Sequence, residues 1–294
     1  LKDSIVLGKK WPNKISPTGI ALDDAKQILY VVTKQDNSLY IVDLKTNIID
    51  KKIALGSEAY TCILTPDNSK LYISLWGKDQ VVAVDTQKNE IIDSVFVGDN
   101  PNDLCISNNA KFLYVSNAND NTVSVIDLKK NKVLETLNAA VHPTKLSGAT
   151  SNSLALSNNN KTLYIANADN NCLAVFDVSN PGSSHSLGFV PTGWYPSVVR
   201  VIGSKLYVAN AKGFSSLPNP YGPNPIGIKQ AVILHGGDTA KPKQVQYIGG
   251  GLLMGTLSII PIPSEKTLSE YSKAVYKNTP FNINYSVFKF LFCK

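Results

Sequence analysis

Catalysis needs titratable groups that converge, and this 294-residue sequence offers few with the spacing to do so. Its three histidines, His142, His185 and His235, sit in loop-like stretches, and none falls in an HxH or HExxH pattern that would put two imidazoles on one metal. Cys62, Cys105, Cys172 and Cys293 form no CxxC or CxxCH, which excludes c-type haem attachment and zinc knuckles. Cys62 and Cys105 lie inside apolar runs, TCILT and LCIS, and read as buried, unpaired thiols. Turn chemistry accounts for the paired acids Asp23 and Asp24. There is no GxSxG and no Walker loop, and Gly249-Gly250-Gly251 has no helix behind it to cap. These residue types predict no catalytic group, no metal site and no cofactor.

Binding chemistry is better represented. Trp11, Tyr60, Trp76, Asn117, His142, Asn167, Trp194, Tyr195, Asn210, Lys212 and Tyr221 fall at the junctions between strand-like runs, with Lys78, Asn102, Asp103 and Lys145 near them. All three tryptophans read as loop residues, and a large aromatic in a loop has no core to fill. They are the expected anchors for a ligand or partner.

The elements that must position these residues are repeated. A Leu-Tyr-led strand recurs as LYVVT, LYISL, LYVSN, LYIAN and LYVAN, with tyrosines at 30, 72, 114, 164 and 207. A second marker (IVDL, AVDT, VIDL, VFDV) places Asp43, Asp85, Asp127 and Asp177 in step with them. Two markers that keep one period of 42 to 50 residues, with Asn- and Gly-rich turns between short Val/Ile/Tyr runs, identify units of four strands. The recurrent Asp is expected to cap the turn that follows it. Runs such as LYVSN and LAVFD are apolar on both faces, so each sheet must pack against a neighbour on either side. The prediction is an all-β fold, a β-propeller of four-stranded antiparallel blades. Five blades are recognisable, either closed on themselves or forming part of a seven-bladed ring.

LKDSIVLG at the start matches the fourth strand of a unit. Residues 212–254 interrupt the fifth unit and carry LPNPYGPNP, a polyproline-like run centred on Tyr221, expected to form a flap or docking surface. The propeller is expected to span 1–263. The remainder, 264–294, reads as a linker and tail, with a short amphipathic helix from Ser264 or Thr267 carrying Leu268, Tyr271 and Val275.

Composition narrows the partners. The net charge is +7, yet Arg200 is the only arginine, so the guanidinium fork that reads bases is missing and no nucleic acid is expected. No run of eighteen apolar residues appears, so no membrane span is expected. The chain opens at Leu1 without a basic head and apolar core, so a targeting segment is expected to be absent or already removed.

LYVVT, LYVSN and LYIAN, followed by text such as DNTVSVIDL, resemble the YVTN or YncE-like β-propeller repeat over most of residues 14–260. GWYPS, LYVANAKG, the Pro-Asn insert, GTLSIIP and EYSKAVYKNTP resemble, more narrowly, the propeller that precedes an alkaline-phosphatase-superfamily phosphoesterase in some bacterial proteins. The resemblance implies a periplasmic or extracellular protein with a C-terminal phosphoesterase partner domain in the full-length form. The expected function is therefore a non-catalytic scaffold, not an enzyme, that binds a small ligand or protein domain through its loop-rich face. The alternative is the substrate-recognition portion of a phosphoesterase.

Overall fold

A computed structural model of the chain describes residues 4–8, 15–142, 148–213 and 255–279. Trp11, Lys145, Tyr221, His235, Cys293 and nearly all of the insertion and tail lie outside the described residues.

Among the described residues, nineteen strands form five antiparallel sheets in chain order. The first sheet holds β1 (Ser16–Asp23), β2 (Ile28–Lys34), β3 (Ser38–Asp43) and β4 (Ile48–Ala54). The second holds β5 (Ala59–Leu64), β6 (Lys70–Leu75), β7 (Gln80–Asp85) and β8 (Glu90–Phe96). The third holds β9 (Pro101–Ile106), β10 (Phe112–Asn117), β11 (Thr122–Asp127) and β12 (Lys132–Asn138). The fourth holds β13 (Ser151–Leu156), β14 (Thr162–Asn167), β15 (Cys172–Asp177) and β16 (His185–Pro191). The fifth has three described strands, β17 (Trp194–Ile202), β18 (Lys205–Gly213) and β19 (Thr256–Pro261). Each first strand packs on the first strand of the next sheet, from β1 to β5, β9, β13 and β17. The sheets therefore fan around an axis lined by their first strands, as blades of a β-propeller.

The repeat explains why. Tyr30, Tyr72, Tyr114 and Tyr164 are at most 4% exposed, and Leu71, Leu113, Leu163 and Leu206 are fully buried between sheets. Each such leucine contributes about 1.5–3 kcal/mol, available only if the neighbouring sheet is present. Two-residue alternation sends Tyr30 and Val32 toward the second sheet and Val31 to the opposite flank, where Ile5, Leu7 and Ile15 cover it. The N-terminal residues 4–7 thus pack beside the first sheet, but not as the strand that the sequence suggested.

The turns follow the expected chemistry. Asp43, Asp85, Asp127 and Asp177 each accept hydrogen bonds from the amides that follow, at 2.7–3.1 Å. Those bonds draw the carboxyls of Asp85 and Asp127 below their ordinary range, and for Asp177 the Ser179 side chain, then its amide, does the same. Asn47, Asn89 and Asn131 close the turns between third and fourth strands with positive φ, a conformation that asparagine tolerates. Helix α1 (Glu265–Lys277) begins at Ser264, whose hydroxyl accepts from the Thr267 amide. Leu268 and Val275 are buried, Tyr276 meets Phe189 edge-on, and Ser272 bonds to the Phe189 amide of β16. The helix clamps the outer edge of the fourth sheet.

Candidate functional site

Antiparallel alternation sends the turns between second and third strands, and the connections between sheets, to one face of the fan. The ends of β2, β5, β6, β17 and β18 gather there. Lys34 Nζ lies 4.6 Å above the Trp76 ring and 5.2 Å above Tyr60. Lys212 Nζ lies 3.9 Å above Tyr195 and 5.7 Å above Trp194. Two lysine–aromatic stacks therefore flank the mouth, from opposite ends of the fan. The phenols of Tyr60 and Tyr195 are raised by burial first, then by the Asp103 charge for Tyr60 and by Asp169 and Tyr60 for Tyr195. Both remain protonated donors at neutral pH.

Tyr195 is held at φ +64°, a left-handed conformation that puts a bulky side chain at a disadvantage of about 1–2 kcal/mol. Its amide donates to Asn171 Oδ1 at 2.9 Å, which helps hold that geometry. Strain of this sort concentrates where a side chain must be aimed.

Deeper on the axis, three first strands meet in one polar relay. Asp103 of β9 accepts from Ser153 Oγ (2.7 Å) and from the Leu154 amide (2.9 Å), both on β13. Ser153 Oγ in turn accepts from the Val199 amide and from Arg200 Nη1 of β17, both at 3.3 Å. Arg200 Nη1 also donates to the Val199 carbonyl (2.7 Å) and stands 3.8 Å from Asp103 Oδ2. The Arg200 side chain is 57% exposed and the Asp103 side chain 18%. A long, half-exposed ion pair of this kind contributes at most about 1 kcal/mol to stability, so stitching the blades is a weak reason for it. Its exposed donors can instead hold an acyl oxygen or a carboxylate. Beside it, Asn102 donates to Asn152 Oδ1 (3.0 Å), takes a bond from Ser116, and its carbonyl accepts from Ser74 Oγ (2.7 Å).

The structure sorts the residues singled out in the sequence. Tyr60 and Trp76 share one stack, and Trp194, Tyr195 and Lys212 share the other. Trp194 opens β17 and Tyr195 follows it, so neither is a loop residue as the sequence suggested. Asn117, Asn167 and Asn210 are turned into the sheets and are at most 1% exposed. Asn117 bonds Thr122 and Ser124, Asn210 bonds Thr256 and Ser258, and Asn167 bonds the Ala139 carbonyl. His142 lies in the connection after β12 and is half-buried. Trp11 and Tyr221 fall outside the described residues. Sequence reasoning missed Lys34 and Ser153, and used Arg200 only as an argument from composition. Its isolation among lysines was the available signal. Among the described residues, no three His, Cys, Asp or Glu side chains group as a metal site, and no helix is long and apolar enough to cross a membrane.

The family model for "Lactonase, 7-bladed beta-propeller" matches residues 49–213. No curated protein matches. Among solved structures, a candidate 6-phosphogluconolactonase from Bacteroides uniformis is similar, with 18% identity, TM-score 0.57, 66% of this chain covered and 63% of that one. So is a Lactobacillus plantarum protein, with 18% identity, TM-score 0.58 and coverages of 66% and 64%. The chain spans less than two thirds of the length of either, and at this identity the likeness concerns the fold alone. The propeller expectation holds, but the match is to the lactonase family and not to the YVTN repeat or its phosphoesterase-fused relatives. The same finding corrects two further expectations, that the chain is a non-catalytic scaffold or phosphoesterase recognition portion, and that it is not an enzyme: the matched family is one of lactonases. With more than half its length matched, the chain belongs to the seven-bladed β-propeller lactonase family.

Proposed function

We propose that this chain takes part in hydrolysing a lactone at the axial site, with Arg200 at its centre. The observation that carries the reading is the half-exposed guanidinium held over the axis by Ser153, the Val199 carbonyl and Asp103. Water adds to the acyl carbon of the lactone, the ring C–O bond breaks, and a hydroxy acid leaves. Negative charge grows on the acyl oxygen in the transition state, and Arg200 is positioned to meet it, with the protonated phenols of Tyr60 and Tyr195 as further donors. Asp103 fixes the guanidinium and is the nearby carboxylate that can take the proton from water and return it to the leaving alkoxide. The lysine–aromatic stacks supply apolar ring faces and positive charge, which suits a polyhydroxylated, acidic product.

The LYVxN text of the repeat supports a YVTN-type subgroup within this reading, and the periplasmic or extracellular placement implied by that resemblance belongs to the same proposal.

The test is proton release from a sugar δ-lactone, above the spontaneous rate, by the wild-type chain and by Arg200→Ala. Loss of one donor to a developing oxyanion lowers kcat by about 10²–10³. Turnover that survives Arg200→Ala, or a wild-type chain that never exceeds the spontaneous rate, would refute the proposal.

A further inference from the structure

The face opposite the mouth carries the turns between first and second strands. In three sheets that turn places a residue with positive φ three positions before the Leu of the Leu-Tyr pair: Asn68, Ala110 and Asn160. Two of the asparagines bridge to the preceding sheet. Asn68 donates to Asp23 of the first sheet (3.1 Å), and Asn160 accepts from the Asn108 amide of the third (3.1 Å). Between the second and third sheets the position holds Ala110, which has no group to reach back. A cleft of about 230 Å³ remains open there.

The residues around that cleft are not neutral filler. Lys70, Lys111 and Lys129 line it from three different strands or turns, together with Leu128 and Tyr72. None of the three lysines is in an ion pair among the described residues. The lining has one acid, Asp67, and its carboxylate is already engaged by the Thr65 hydroxyl (2.5 Å), the Ser69 amide (3.1 Å) and the Ser69 hydroxyl (2.9 Å). From outside the lining, Asp93 acts on the Tyr72 phenol and Asp85 interacts with Lys70. Within the lining itself, three cations stand against one carboxylate in a concave, partly apolar space. Ala110 also holds a left-handed backbone with neither the freedom of glycine nor the local hydrogen bonds of asparagine, a disadvantage of about 1–2 kcal/mol. An asparagine there would relieve that strain and fill the cleft.

We propose that this cleft binds a small phosphate dianion, presented by the free ion or by a short phosphomonoester. Three lysines lining one cleft can satisfy a compact tetrahedral dianion as point charges. The space is larger than an ion of a few water volumes needs, yet below the range of ordinary drug-sized pockets, which favours the ester of a three- or four-carbon alcohol. The site lies on the face away from Arg200, and its existence does not depend on lactone turnover.

Calorimetric titration of the whole chain with inorganic phosphate and, separately, with glycerol 3-phosphate, at matched ionic strength and against chloride, tests the assignment. The variants are Ala110→Asn, which fills the cleft while relieving backbone strain, and Lys111→Glu, which reverses one charge. Both are expected to weaken binding at least about tenfold, as removal of a charged hydrogen bond does. Ala110→Asn should also melt no lower than wild type, so lost binding cannot be ascribed to unfolding. Tighter binding of glycerol phosphate than of phosphate identifies the ester as the ligand class, and equal binding identifies the free ion. Absence of binding to the wild-type chain, binding unaffected by both variants, or an equal response to chloride would overturn the proposal.

Discussion

Replacing Gly98 with alanine tests whether the recurring asparagine is a structural lock. Gly98 lies within the connection from the second sheet to the third, and a Cβ on it would stand 2.7 Å from both Cγ and Nδ2 of Asn117. It would also meet Asp120 Oδ2 at 2.5 Å, but Asp120 is exposed and can swing aside. Asn117 cannot. It is fully buried, and its Nδ2 is tied to Thr122 Oγ1 and Ser124 Oγ, both at 2.9 Å. Displacing it breaks two hydrogen bonds worth about 0.5–1.5 kcal/mol each and adds an overpacking strain of about 1–3 kcal/mol. The sum is roughly 2–6 kcal/mol, or a fall in melting temperature of roughly 5–20 °C for a chain of this size. Gly56→Ala is the control, because at φ +73° with nothing within 4 Å it meets only backbone strain, about 1–2 kcal/mol. Thermal unfolding followed by circular dichroism gives both values. In an Asn117→Ala background the clash is removed, and Gly98→Ala should then cost less than about 1 kcal/mol. Additive losses in the double variant, or a Gly98→Ala loss no larger than that of Gly56→Ala, would refute the lock.

Gly193→Ala should repeat the result in the fifth sheet, because its Cβ would lie 2.7 Å from Asn210, and melting data check it. Cys62, Cys105 and Cys172 are free, and burial pushes their thiols up to about 12, 11 and 12, so none should react with a thiol reagent until the chain unfolds. The carboxyl of Asp67 is drawn from 3.8 to about 2 by Thr65 and Ser69, and those of Asp85, Asp127 and Asp177 are also lowered. The unfolded chain binds more protons than the folded one in that range, so the contribution is complete above pH 3.8 and is lost toward about 2, as acid titration of unfolding should show. Trp76→Ala should cost little stability, because the ring is half-buried and its cation–π contact with Lys34 contributes only about 0.5–1 kcal/mol; a loss comparable to that of a core leucine would show that Trp76 is core.

The architecture was legible because it is written several times over. A buried Leu-Tyr pair and a turn-capping Asp that keep step from unit to unit cannot be read as anything but stacked sheets. The site was harder, for two physical reasons. A polar residue at a strand end faces either its own sheet or the mouth, and sequence alone does not distinguish the two: Asn117 and Asn210 turned inward, while Lys34 and Lys212 turned over aromatic rings. The axial relay also takes one residue from each of three first strands, with Asp103 and Arg200 almost a hundred positions apart. No local spacing can signal such a set. Its members are ordinary in their own repeats, and only closing the strands around the axis brings Asp103, Ser153 and Arg200 together.

The most direct test of the catalytic proposal is chemical rescue of Arg200→Ala by guanidinium ion at concentrations too low to unfold the chain. If the guanidinium acts on the acyl oxygen, added guanidinium should restore part of the lost kcat/KM for lactone hydrolysis in saturable fashion, and ammonium should not. A folded variant that stays as active as wild type, or one that guanidinium cannot revive, would contradict the account.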